Sequence, residues 1–574
     1  MQLIMKNKSL FSLIVAGTVL VNTSCNDFLD YQPQGLLSSD NVKSASAAES
    51  LVTAAYAGIG NDDMIGPMTS MWVYGSVRSD DAYKGGGGVS DVAEVDFYEH
   101  YNLTRPDLGL MHPFTWENFY KAISRANAAL TSLNALTDDQ FALRTTRIAE
   151  MRFLRGHSHF MLKMLFKNIP YIDEKLTSDD ILKESNTHYT NDELWSKIGD
   201  DFQFAVENLP QKQSQIGRAN KLSAAAYLAK LRLFQAYEQD ANHKVTGINK
   251  NRLQEVVTLT QQVISAGQYS LQPDFAENFI AETENGPESI FAIQYSINDG
   301  TAVGRISYVT GLNYPHGAPQ YGCCGFHQPS QNLANAYRTD ANGLPLFDTF
   351  NDKNVDFATE TVDPRVDHTI GIDGHPYKYD ATKPFSNSWV RDPGVYGFFH
   401  TMKEQQLATS SSYHKEGPFI GSSKNIDIIR YDDVLLMQAE AYIELGQHAL
   451  ALPLINQIRK RAAASTGRLK KADGNLPSKY NIKEYTASGW TQEFARKAMR
   501  WERRLEFATE SPRFFDLVRW GIAEPTLNAY LDKEKVRRPF LATAKFTAGR
   551  DEYLPIPQRE ISFTKGLYKQ NPGY

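Results

Sequence analysis

Apolar residues recur at helical spacing in two stretches of the chain, separated by a long stretch in which they do not. In the first, from about Val42 to Ala266, segment 116–130 (WENFYKAISRANAAL) places Trp116, Phe119 or Tyr120, Ile123, Asn127 and Leu130 on one stripe. Segment 147–166 (RIAEMRFLRGHSHFMLKMLF) repeats the pattern with Ile148, Met151, Leu154, Ser158, Met161 or Leu162, and Leu165, and Pro170 closes that helical region. Segment 221–237 does so with Leu222, Ala226, Ala229, Leu233 and Tyr237, and its small alanines let a neighbouring helix approach closely.

The second stretch begins near Ile426. Segment 430–463 (RYDDVLLMQAEAYIELGQHALALPLINQIRKRAA) reads as helix, turn at Gly446, helix. Val434, Leu435, Ala441, Tyr442 and Leu445 share a face, continued after the turn by Leu450, Leu454, Ile458 and Arg461 to Ala462. This spacing resembles a tetratricopeptide helix pair, a unit that buries its apolar face only by stacking on others. Between the two stretches, residues 274–424 are rich in Gly, Pro, Asn and aromatics and lack helical periodicity. Ser289 to Ile297 (SIFAIQYSI) reads as a strand and the rest as loops carried on a helical scaffold, where ligand contacts usually sit.

The amino terminus follows a different rule. Lys6 and Lys8 precede a twelve-residue apolar run, Leu10 to Val21, and then Thr23, Ser24 and Cys25. A spanning helix needs roughly 20 apolar residues, so the run has the layout of a secretory signal peptide, residues 1–24. Cys25 is then either a chance cysteine or the acylated first residue of a bacterial lipoprotein. The second reading gives the thiol a use, although Asn22 stands where Leu, Ile or Val is usual. Residues 25–41 would form the tether, 42–273 an amino-terminal helical part, 274–424 a loop-rich ligand-binding part and 425–574 a carboxy-terminal helical part.

Composition removes several classes of function. The 574 residues are 42% hydrophobic and 22% charged, as in a folded protein, and the net charge of −6 offers no basic excess for nucleic acid. Three cysteines build neither a disulfide framework nor a four-Cys zinc site. The sequence carries no HExxH, phosphate loop, GxGxxG or GxSxG motif, so no catalytic residue, metal ligand or cofactor is assigned. His157 and His159, two apart on a helix, point in different directions and read as structural. Glu502 and Glu506 lie four apart with Arg503 and Arg504 beside them, which suggests ion pairs along a helix whose opposite face, Phe494, Ala498, Trp501, Leu505 and Ala508, is buried. A glycan-cleaving pair of carboxylates has no motif here. The vicinal Cys323 and Cys324 either close into a ring or remain thiols, with His327 the nearest candidate base, and rigidifying a loop is the simpler role.

Capture of a sugar calls for flat rings together with carboxylates, amides or arginine. Two loops fit: residues 77–88, with Asp80, Asp81 and Tyr83 before a tetraglycine, and residues 312–328, with Asn313, Tyr314, Tyr321, Phe326 and His327. Trp389 is a third position. Each of these rings fits a core position equally well, since sequence carries no exposure.

Several blocks, in order along nearly the whole chain, resemble the SusD/RagB family of outer-membrane nutrient-binding lipoproteins. They are CNDFLDYQP (25–33), WENFYKAISRAN, AEMRFLRGHSHFMLKMLFKNIP (149–170), DPRVDHTI (363–370), RYDDVLLMQAEAYIELG, WERRLEFATESPRFFDLVRWG (501–521) and the terminal LPIPQREISFTKGLYKQNPGY (554–574). The resemblance implies a mainly α fold, a superhelix of tetratricopeptide-like pairs under a loop-rich face, and no chemical step. It also implies attachment by lipid alone at the outer membrane, facing outward, and a SusC-like TonB-dependent transporter as partner. The ligand it implies is a glycan, or a peptide as in the RagB branch. Ala508-Thr509-Glu510 departs from the Glu-Gly common in that family.

Overall fold

The computed structural model describes residues 44–574, apart from 62, 63, 65, 106, 107, 302 and 303. Cys25, the signal segment and the tether therefore lie outside the described residues. Among the described residues no helix is long and apolar enough to cross a membrane.

The first periodic stretch forms α1 (Ala45–Ile59), α2 (Met111–Asn134), α3 (Arg144–Phe166), α4 (Asn191–Asn208), α5 (Lys221–Ala236) and α6 (Lys250–Ser265). Local chemistry sets their starts. At α4 the Thr190 hydroxyl accepts from the Glu193 amide while the Glu193 carboxylate accepts from the Thr190 amide, and Asn220 and Ser223 close the same box at α5. The second stretch forms α7 (Tyr431–Glu444), α8 (His448–Ala464), α9 (Gln492–Glu506), α10 (Pro512–Arg519) and α11 (Ala523–Arg537).

Each of α1 to α6 packs on the next, α6 packs on α7, and α7 packs on α8 and α9. The two stretches are thus one continuous stack of helices, although 165 positions separate the end of α6 from the start of α7. Ala224, Ala225, Ala226 and Ala229 are fully buried on α5, where the small side chains permit contact with both neighbours. The chain leaves this stack after α6 and returns through one antiparallel ladder. Strand Ser289–Ile293 pairs with strand Ile426–Arg430, Ile293 opposite Ile426 and Ser289 opposite Arg430. What lies between is short strands, short helices and loops over two small cores, one of Tyr314, Ala318, Tyr321, Tyr377, Phe385, Val390, Met402 and Ile420, and one in which Leu333, Tyr337, Val362, Val366 and Ile370 pack on Leu505 and Ala508.

Two expectations are corrected. On α8 the buried face is Ala451, Ile455, Ile458 and Ala462, while Leu450 is 52% exposed. The smaller Ala451 takes the packing position and the larger side chain stays outside. On α9, Glu502 and Glu506 are completely buried rather than pairing along an outer face. Their partners come from elsewhere: Arg365 Nη1 lies 2.6 Å from Glu502 and 2.8 Å from Glu506, Arg459 lies 3.1 Å from Glu502, and Arg461 pairs with Glu506. Buried charge is tolerated here because each carboxylate meets a guanidinium. His157 and His159 are structural: His157 Nδ1 is 2.7 Å from the Tyr227 hydroxyl, and His159 Nε2 accepts from the Ile172 amide.

Candidate functional site

The two loops and the Trp389 position nominated from sequence converge. Strand β1 (Ala82–Gly85) pairs antiparallel with β2 (Phe326–Pro329), Ala82 opposite Pro329 and Gly85 opposite Phe326. Arg391, two residues after Trp389, donates from Nη1 to Asp91 at 2.7 Å and to the Cys324 carbonyl at 3.1 Å. That one guanidinium ties the tetraglycine turn to the 312–328 loop.

The turn itself is built inward. The Lys84 side chain is buried, and its ammonium donates to the carbonyls of Gly88 (2.8 Å), Val89 (3.0 Å) and Asp91 (2.7 Å). Burial lowers the Lys84 pKa, and the three carbonyl contacts offset the cost of placing the ammonium there. Gly85 and Gly86 have φ of 78° and 81°, and a Cβ on them would sit 2.5 Å from the Gly325 oxygen and 2.6 Å from the Phe326 ring. Only glycine fits both the angle and the space. Beneath the turn Glu99 accepts from the Lys84 amide at 3.1 Å, and burial raises its carboxyl to about 7.

Eight of the nine nominated residues are buried, so they hold the loops rather than line their outer surface. Asp80 accepts from Arg513 at 2.8 and 3.0 Å and lies 3.1 Å from Arg504, while Asp81 lies 3.1 Å from Arg504. Burial pushes the Asp80 carboxyl up, but Arg504 and Arg513 outweigh it and hold the group at about 2. Asp81 is raised, by burial and by the charge of Asp80. The Tyr83 hydroxyl donates to Glu534 at 2.6 Å. Asn313 donates to Glu404 at 2.9 Å, and His327 Nδ1 is 2.7 Å from the same oxygen. The Tyr314 hydroxyl accepts from the Gln406 amide, the Tyr321 hydroxyl donates to the Gln406 carbonyl, and the two rings lie 5.1 Å apart. Phe326 packs edge-on to Trp72.

Trp389 is the ninth, and it is only partly buried. Its ring stands edge-on to Tyr377 and Phe385, both centroids 5.5 Å away, so its orientation is fixed from below. Around it, sequence reasoning passed over Tyr413, His316 and Arg391. Tyr413 is half-buried, 6.0 Å from Tyr321, on a hairpin of β3 (Tyr413–Glu416) and β4 (Phe419–Ser422). The turn signal Glu416-Gly417-Pro418 between two alternating runs was the available clue. His316 is exposed beside Gly325, and Cys323 and Cys324 form a vicinal disulfide at the base of this rim. The result is a rim of fixed rings with an arginine among them.

The architecture of a helical stack carrying such a rim has close parallels. A family profile described as "SusD family" matches residues 287–574, and one described as "Starch-binding associating with outer membrane" matches residues 27–233. The chain belongs to the SusD family. SusD-like protein P2 of Formosa agariphila is 25% identical over 97% of this chain and 98% of its own length. A laminarin-binding SusD-like protein superposes with a TM-score of 0.66 at 23% identity, over 93% of this chain and all of the other. Surface glycan-binding protein A from Bacteroides thetaiotaomicron, solved with laminarihexaose, superposes with a TM-score of 0.64 at 20% identity, over 92% of this chain and 99% of that one. Membership places this SusD-family chain among outer-membrane, surface-facing proteins that bind and do not catalyse.

Proposed function

We propose that this SusD-family chain is a lipid-anchored surface protein that captures oligosaccharide at the loop rim and delivers it to a SusC-like TonB-dependent transporter. The rim carries the reading. Trp389 and Tyr413 are rigid rings supported from beneath, and such rings give contact area to the C–H faces of a sugar at little ordering cost. Arg391 and His316 add hydrogen-bonding groups beside them. Asp80, Asp81, Tyr83, Asn313, Tyr314, Tyr321 and Phe326 serve the site by fixing the loops on which those groups stand. Tethering through Cys25 beside a transporter raises the effective concentration of ligand at the pore without tight intrinsic affinity. Relatives named for laminarin and glycan binding make β-glucans the first ligands to try.

Titration calorimetry of the purified protein against laminarin and other glycans tests the reading. Binding that Trp389→Ala weakens by on the order of thirtyfold supports it, and silence toward glycans with heat from peptides transfers the site to peptide capture. Cys25→Ser is expected to move the protein from the membrane fraction to the soluble one, and retention in the membrane would reject the acyl tether.

A further inference from the structure

The rim contains one bond whose chemistry the capture of a ligand does not use. Cys323 and Cys324 are joined to each other, and the third cysteine of the chain is the distant Cys25. Cys324 is 6% exposed, whereas Cys323 is partly open to solvent and follows the exposed Gly322. A dissolved thiol approaching the bond therefore meets Cys323 first.

Two cations flank the pair. Arg391 Nη1 donates to the Cys324 carbonyl at 3.1 Å, and the Lys415 ammonium donates to the Tyr321 carbonyl at 2.6 Å. A Cβ on Gly322, next to Cys323, would sit 3.9 Å from that ammonium. Arg391 shares its charge with Asp91, which leaves Lys415, held by a carbonyl, as the stronger influence. Neighbouring positive charge favours thiolate over thiol, and a sulfur stable as thiolate is the better leaving group in exchange.

The same residues are a junction of the rim. The Gly325 carbonyl, directly after the pair, accepts from the Gly86 amide at 2.7 Å, and the Gly325 and Phe326 amides donate to the Tyr314 and Leu312 carbonyls. The loop also carries Trp389, whose carbonyl accepts from the Gly317 amide at 2.8 Å. Arg391 and Lys415 add the tetraglycine turn and the β3–β4 hairpin. A bond between adjacent residues closes too short a loop to stabilise the whole fold through chain entropy, so its effect is confined to this junction.

We infer that Cys323–Cys324 is a reversible thiol–disulfide site for small thiols, activated by Lys415, whose state sets how firmly the rim loop is held. A thiolate RS⁻ attacks the Cys323 sulfur, the sulfur–sulfur bond breaks, and its electron pair leaves on the Cys324 sulfur as thiolate. A second RS⁻ attacks the mixed disulfide, releasing RSSR and leaving Cys323 as thiolate. The protons of the two small thiols end on Cys323 and Cys324, so one disulfide is reduced and another is formed. This chemistry is independent of what the rim captures.

The test uses Cys25→Ser protein, in which the pair are the only cysteines, with dithiothreitol supplying both attacking thiols. Iodoacetamide traps free thiols, and mass spectrometry reads them. Without reductant neither cysteine is expected to be alkylated. With it both should be, in native buffer, and oxidised glutathione should reverse the change. Lys415→Gln, which keeps a donor and removes the charge, should slow reduction severalfold. In the reduced protein amide exchange over residues 313–328 and 86–91 should quicken by on the order of tenfold, with α2 to α7 unchanged. The Cys323→Ser/Cys324→Ser double variant should show the fast exchange with or without reductant. Alkylation before any reductant, labelling that requires denaturant, reduction no slower in Lys415→Gln, or exchange unmoved by reduction would each overturn the inference.

Discussion

Asp80 and Trp389 show how differently two residues of the candidate site are placed. Asp80 is buried against Arg504 and Arg513, and removing it strands the Arg513 guanidinium while Arg504 keeps Asp81. Asp80→Ala is expected to cost about 3–5 kcal/mol of stability by denaturant unfolding, since breaking a buried pair leaves charge uncompensated. Trp389 is half outside, so Trp389→Ala should cost binding instead, on the order of 2 kcal/mol or about thirtyfold in affinity, with stability little changed. From sequence the two looked alike, as polar and aromatic members of candidate loops. Asp80 could not be read as an anchor because its partner Arg513 lies 433 positions away, and nothing local announces the contact. Glu502 and Glu506 misled in the same way, because local arginines suggested pairs that the fold makes instead with Arg365, Arg459 and Arg461.

At the scale of elements, periodic segments were legible and irregular ones were not. Apolar stripes placed α2, α3, α5, α7 and α8, because helical spacing is written locally. The same reasoning places the tetraglycine only within a candidate loop. Its order comes from Lys84, which folds back onto three carbonyls of the turn, and no propensity records such a contact. Lys84→Met is therefore expected to speed amide hydrogen exchange over residues 86–91 by on the order of tenfold or more, with the helical stack unaffected. Unchanged exchange there would mean that the glycines and the β1–β2 ladder hold the turn without the lysine. The β1–β2 pairing was equally hidden, since it joins strands of four residues more than 240 positions apart, as the Gln331 amide bonded to the Tyr83 hydroxyl, 248 positions away, also records.

The whole molecule carries opposing acid–base terms. Asp80, Asp433, Glu440 and Glu506 are held at about 2, in each case because arginine or lysine charges outweigh burial. Folded pKa values below the unfolded ones stabilise above pH about 4, and that stability is lost as pH falls toward 2. Glu99 runs the other way. Burial raises it to about 7, so the folded state keeps a proton that the unfolded chain releases near 4.5, and stability declines as pH rises from 4.5 to 7. Denaturant midpoints should peak near pH 5 and fall on both sides. Glu99→Gln should remove part of the alkaline decline, gaining up to about 3 kcal/mol at pH 8. An unchanged decline in that variant would place its origin elsewhere, with Glu552, also raised to about 7, the next carboxylate to replace.

The single ladder of Ser289–Ile293 on Ile426–Arg430 has a consequence for how such proteins diversify. It works as a seam: residues 294 to 425 depart and return there, while α6 and α7 pack on each other. The insert behaves as a cassette. Grafting the corresponding segment of a relative between the two strands, with Asp80, Asp81 and Lys84 kept to receive it and Arg365 kept within it to neutralise Glu502 and Glu506, should transplant ligand preference onto this stack. Evolution at the cell surface then has a cut point at which to exchange appetites without refolding the scaffold.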